Sequence, residues 1–201
     1  MGRLSLLLLS FLLFSCIRDN DPVIPEEIIT EIPKPERFNV CEFDLSDKQG
    51  TFEIEGKWEF AGFFDTRYNS LDGLTCTARW AKFFFDGEDK ENVYKIILEI
   101  KPSKFSGENP ACNDFPTFET TGFKTKISGC YNVSNEPLIS FSITEKIYVD
   151  KLDFTTLEEE AADEEYFAGL QNAIRYEIDK NKLYIYTDRT HKKMIFLALE
   201  D

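Results

Sequence analysis

The sequence predicts an all-β domain, an antiparallel barrel or half-barrel with a single late helix. Three observations predict it. From Val40 onward apolar and polar residues alternate with period two, the repeat of a half-buried strand and not of a helix. Nineteen phenylalanines help bring the aromatic content to 14%, a composition that suits pleated surfaces better than helical bundles. The alternating runs are short and separated by turn residues, and one helical period interrupts them near the end, as in a meander that closes on itself.

Ahead of this domain the chain opens on an export signal. Gly2-Arg3 give a positive start, Leu4 to Phe14 are almost unbroken apolar residues, and Ser15 is small; the run is too short for a membrane-spanning helix. Leu13-Phe14-Ser15-Cys16 resembles the bacterial lipobox. That resemblance implies a lipoprotein signal peptide of residues 1–15, cleavage before Cys16, and acylation of its thiol with palmitate-type chains. The membrane is then a partner through an N-terminal lipid anchor. Ile17 follows the cysteine where an Asp would favour inner-membrane retention, so the expected address is the cell outer membrane. Asp19 and Asp21 resemble the acidic signal that some Gram-negative groups use for display at the cell surface instead of the periplasmic face. Residues 16–39 carry Pro22, Pro25, Pro33 and Pro35 among acidic residues, and proline at this density predicts a semi-extended tether.

Residues 40–201 then read as a single β domain. Phe52, Ile54, Trp58 and Phe60 alternate with charged residues, interrupted at Gly56. Ala78, Trp80 and Phe84 share one parity of a second run, broken by Lys82, and Phe83-Phe84-Phe85 cannot all face one side of a strand. Asp86-Gly87-Glu88-Asp89 reads as a turn, after which Tyr94, Ile96, Leu98 and Ile100 alternate. Pro102, Gly107 and Pro110 mark an irregular stretch carrying Cys112. Ile127, Gly129, Tyr131 and Val133 form the next strand, and Ile139, Phe141 and Ile143 follow a loop at Asn135-Glu136-Pro137. Thr156 with Glu159 is a capping-box pair that starts the helix, with Tyr166, Phe167, Leu170, Ala173 and Ile174 as its apolar face. Ile174 to Ile178, Leu183 to Ile185 and Met194 to Ala198 close the chain as three strands.

The formal net charge is −14 and the pI about 4.6, which excludes nucleic acid as a partner by repulsion. Cys41, Cys76, Cys112 and Cys130 are an even number in an exported chain and predict two disulfides, with three connectivities open. The proximity of Cys112 to Cys130 favours a bridge across that loop, which leaves Cys41 to Cys76. No C-x-x-C pair is present and His191 is the only histidine, so neither a zinc site nor thiol catalysis is expected. Asp86, Glu88 and Asp89 lack the spacing of a calcium loop. With no phosphate-cradling loop and no nucleophile elbow, the expectation is a protein without enzymatic activity, cofactor or metal.

Gly56-Lys57-Trp58 resembles the G-x-W opening of lipocalin-like barrels. Phe105-Ser106-Gly107, Ala111-Cys112-Asn113 and Gly129-Cys130-Tyr131 resemble the core pattern of the META/HslJ-like family, and residues 167–196 resemble that family's final helix and strands. Ala111 stands where the family has Gly, and the gap from Cys112 to Gly129 is longer than the family's, as in a divergent member. The resemblance implies a small β domain of the cell envelope and no particular reaction. It also implies that Trp58 plugs the barrel, and together Trp58 and the late helix are expected to close one end.

Trp58, Phe60, Trp80, Phe84 and Tyr131 are candidates to line a ligand cavity; the competing expectation is that they fill the barrel, as side chains do in small barrels. The reading that follows is an outer-membrane-anchored, monomeric, non-enzymatic binding module for an envelope protein or component. The alternative is a lipocalin-like carrier of a small apolar ligand.

Overall fold

The computed structural model describes residues 41–86, 95–134, 137–148, 156–187 and 191–199, with side chains described throughout except at 82–86. Residues 1–40, with the expected signal peptide, Cys16 and the expected tether, lie outside the described residues. The compact unit runs from Asn39 to Asp201.

Nine strands are present among the described residues: β1 (Gly56–Asp65), β2 (Ser70–Leu71), β3 (Ile97–Lys104), β4 (Pro116–Thr121), β5 (Thr125–Ser134), β6 (Leu138–Tyr148), β7 (Ala173–Asp179), β8 (Lys182–Thr187) and β9 (Lys192–Ala198). All pairings are antiparallel. β1 pairs with both β3 and β9, so eight strands close into a barrel, and β2 is a short flange on β1. The expected barrel is therefore closed, not half-open.

Alternation decides what faces inward. Leu98 and Ile100 of β3, Ile127 and Tyr131 of β5, Leu183 and Ile185 of β8, and Met194 and Phe196 of β9 are all buried in one core. β1 needs a correction of phase. A bulge between Phe60 and Gly62, where Gly62 takes φ +148, shifts the parity so that Trp58, Phe60 and then Phe63 all face in. The strand starts at Gly56, itself at φ +135, so Phe52 and Ile54 belong to the segment leading into it.

Two α-helices and one short 3-10 helix, Pro110–Cys112, are present among the described residues. α1 (Gly73–Asp86) replaces the strand expected around Ala78, Trp80 and Phe84. Its inward residues Thr75, Ala78 and Arg79 follow helical spacing, which the shared parity of Ala78, Trp80 and Phe84 concealed. Arg79 reaches the carbonyl of Phe60 at 2.5 Å and lies over the ring of Phe43 at 4.2 Å; burial pulls its pKa down to about 10. α2 (Leu157–Gln171) is the expected late helix, and its capping box is present in both directions between Thr156 and Glu159. Tyr166, Phe167 and Leu170 are buried as expected. Ile174 is not: it belongs to β7, where a bulge between Ala173 and Arg175 leaves it 50% exposed. β4 lies within a stretch that reads as irregular, because its inward position 120 is a threonine and not an apolar residue.

Candidate functional site

Strand direction divides the barrel into two ends. The helices connect strands at one end, the floor, where β1 and β6 finish. α2 is drawn into it by Asp163, whose carboxylate accepts from the N–H groups of Phe123 (2.6 Å) and Lys124 (3.0 Å) in the β4–β5 turn. The Tyr166 hydroxyl lies 2.7 Å from that of Thr120, and its ring packs 4.8 Å from Phe60. Glu159 and Lys124 form a buried ion pair at 3.4 Å beside this dock.

The other end, the mouth, holds the starts of β1, β4 and β6 and the finishes of β5 and β7. Trp58 belongs to this side: its indole N–H donates to the carbonyl of Ile54, 2.9 Å away, in the segment leading into β1. The expectation that Trp58 and the helix close one end together is thus corrected. β1 begins at the mouth and α2 follows a strand that ends at the floor, so each serves a different end.

Between them the barrel is filled. Trp58, Phe60, Phe118 and Phe141 sit in one packed core, with Phe118 and Phe141 edge to face at 5.0 Å. Of the candidate cavity residues, Trp58 and Phe60 are core. Trp80 is on α1 and 41% exposed, which removes it from any barrel cavity; a strand would have turned it inward, the helix turns it away. Phe84 is also on α1, and its side chain lies outside the described residues. Tyr131 is buried in the same core, and of these candidates it is the one that borders a cleft.

The cleft measures about 730 Å³ and lies at the mouth, walled by Phe52, Ile54, Tyr131, Val133, Tyr176 and Ile178 and rimmed by Glu53, Glu55 and Glu177. Pro116 and Pro137 also border it. The Tyr131 hydroxyl donates to Glu55 at 3.3 Å, and burial, then the Glu55 charge, pushes its pKa well above the ordinary value. Glu177 accepts from the Tyr186 hydroxyl at 2.6 Å. Among the described residues, no lysine or arginine borders the cleft. The sequence signal for it was thin, since Glu53, Ile54 and Glu55 read as one alternating strand, and the late strand carrying Tyr176 and Ile178 is distant in the chain.

The disulfides are Cys41–Cys76 and Cys112–Cys130. The second ties the short helix Pro110–Cys112 to β5, next to the cleft residue Tyr131. Gly129 in the same motif has no room for a side chain: a Cβ there would lie 2.0 Å from the carbonyl oxygen of Ser142. His191 is an exposed turn residue whose carbonyl accepts from the Thr66 N–H at 2.9 Å. Residues 87–90, part of the acidic turn, and Tyr94 lie outside the described residues. No metal-binding cluster of acidic, histidine or cysteine residues occurs among the described residues, and none of their helices is long and apolar enough to cross a membrane.

No protein family profile matches the chain, and no curated protein does. Among solved structures, it is similar to a DUF4847 family protein from Bacteroides vulgatus, at 16% identity and TM-score 0.45, covering 73% of this chain and 94% of that one. It is also similar to a protein from Burkholderia xenovorans solved by NMR, at 9% identity and TM-score 0.46, covering 80% and 100%. Neither match bears on the META/HslJ-like family, which stays a resemblance of motifs.

Proposed function

We propose that this chain is a lipid-anchored protein of the outer membrane, a divergent META/HslJ-like barrel that acts as a non-enzymatic binding module through the cleft at its mouth. One observation carries the binding reading: the barrel interior is packed with side chains, and among the described residues a cleft of about 730 Å³ opens at the mouth. A filled barrel with an open rim suits a partner that docks from outside. The anchor reading is supported by the lipobox-like segment ending at Cys16 and the proline-rich stretch behind it.

The experiment is affinity capture from detergent-solubilised envelope with the full chain, beside a variant carrying Ile54→Glu and Tyr131→Arg at the cleft. Loss of the captured partner in the variant is expected. Equal recovery from both overturns the cleft as the binding surface. For the anchor, metabolic labelling with a palmitate analogue is expected to label the wild-type chain and not Cys16→Ser; equal labelling rejects the assignment.

The carrier alternative has its own support, because about 730 Å³ falls within the range of small-molecule pockets. An environment-sensitive apolar dye distinguishes the two. Tight binding quenched by Ile54→Glu favours a carrier, and no uptake favours a protein partner.

A further inference from the structure

The outer wall of the barrel carries a patch of a different character from the mouth. Across β7, β8, β9 and β1 one register row runs Arg175, Tyr186, Lys193, Phe64. Leu183, Ile185 and Thr187 of β8 are buried while Tyr184 and Tyr186 are partly exposed, so the tyrosines point outward and the row lies on the outside. The Arg175 guanidinium stacks over the Tyr186 ring, 3.5 Å from its centroid. Lys193 is set among three rings, 3.8 Å from the Tyr184 centroid, 5.6 Å from Phe64 and 5.7 Å from Tyr186.

Neither cation has a carboxylate within ion-pair distance among the described residues. The nearby acid, Glu177, is held by the Tyr186 hydroxyl, and toward the mouth Asp47 pairs with Lys180 and Lys182. Partial burial pulls the Lys193 pKa below its ordinary value, as for an ammonium short of counter-charge.

A guanidinium laid flat on a ring keeps its in-plane N–H groups for a ligand, and that fork fits a carboxylate with two parallel bonds. Tyr184 and Tyr186 add apolar ring edges beside hydroxyl groups. Glu177 can accept only from a donor, such as a hydroxyl. Together with the chain's net charge of −14, it opposes a densely charged polymer or an anionic membrane surface. A hydroxyl-rich ligand with widely spaced carboxylates matches every one of these groups.

We infer that this wall is a second binding site, for an acidic polysaccharide. Arg175 and Lys193 take a sugar carboxylate, the tyrosine rings meet the C–H edges of the sugar, and Glu177 accepts from a sugar hydroxyl. The site is distinct from the mouth cleft, with which it shares Glu177.

The test uses the full chain in a polyoxyethylene detergent, which has no sugar headgroup, and follows NMR signals of the Tyr184 and Tyr186 rings and the Lys193 ammonium. The probes are tetragalacturonate, its methyl ester, a tetraglutamate peptide and short-chain phosphatidylglycerol. Tetragalacturonate is expected to shift those signals, to weaken as salt rises, and to bind more tightly than the other three. Arg175→Lys keeps the charge and loses the fork, and Lys193→Met keeps an apolar stem among the rings and loses the charge. Combined, they are expected to lower the affinity about 10-fold, the scale of two exposed charge pairs. Arg175→Lys alone, at an exposed position, carries the comparison if the pair misfolds. Unchanged affinity in that variant overturns the inference, as does equal or stronger binding of the ester, the peptide or the lipid. Shifts confined to Ile54 and Tyr131 put the sugar in the mouth cleft and overturn it too, and no shift with any probe removes the site.

Discussion

The amide of Phe123 donates to the carboxylate of Asp163 at 2.6 Å, joining the β4–β5 turn to the middle of α2 across 40 positions of sequence. The neighbouring Lys124 amide takes the other oxygen at 3.0 Å. One side chain thus satisfies two buried N–H groups that a tight turn leaves without a ladder partner. Gly122 is part of the same fit, because a Cβ there would lie 2.2 Å from the Asp163 carboxylate.

Asp163→Ala removes both bonds and leaves two buried donors unsatisfied. It is expected to cost about 3 kcal/mol. Asp163→Asn keeps an acceptor and is expected to lose less. Urea denaturation of both variants checks this, and an Ala variant within error of wild type rejects the clamp.

Trp58→Ala deletes a buried indole and its bond to Ile54, at an expected cost of about 3–5 kcal/mol. Binding at the mouth is expected to persist in the fraction that stays folded, since Trp58 does not wall the cleft. A variant that folds normally and loses its ligand reverses the assignment, making Trp58 a ligand contact.

Cys41–Cys76 closes 35 positions and Cys112–Cys130 closes 18. On the chain-entropy account these contribute about 4 and about 3 kcal/mol. Non-reducing peptide mapping should return those two linked pairs, and a Cys76–Cys112 or Cys41–Cys130 peptide contradicts the pairing. Replacing Cys112 and Cys130 by serine is expected to loosen β5 beside Tyr131 and to weaken binding at the cleft as well as stability.

The pH dependence has two limbs. Hydrogen bonds from Lys180 and Lys182 hold the Asp47 carboxyl at about 2, below its ordinary 3.8. A depressed acid contributes stability above its unfolded value, and that contribution is lost as pH falls through about 4 toward 2. The pair is exposed, so the effect is small. On the alkaline side, burial and then the bond to Glu177 push Tyr186 up to about 12, and burial raises Tyr166 and Tyr131 too. A raised phenol is bound to its proton more tightly in the folded state. Stability is therefore intact below about pH 10 and falls as pH rises toward 12. Phenolate absorbance and denaturation midpoints across this range check the sign; a flat profile between pH 10 and 12 contradicts it.

The sequence by itself determined the β class, the late capped helix, the final three strands and, from spacing alone, the favoured disulfide pairing. These are local signals: alternation, a Thr156–Glu159 pair, short loop lengths. It misread the run with Ala78, Trp80 and Phe84, whose shared parity reads as a strand although the segment winds as an amphipathic helix with Thr75, Ala78 and Arg79 inward, and it passed over β4 because Thr120 faces inward to meet Tyr166. Only the tertiary structure decided which aromatics fill the core, which of them borders the cleft, and where the mouth is. Closure brings Glu55, Tyr131 and Ile178 to one cleft from segments far apart in the chain, and no local period records a neighbour created by the pairing of β1 with β9.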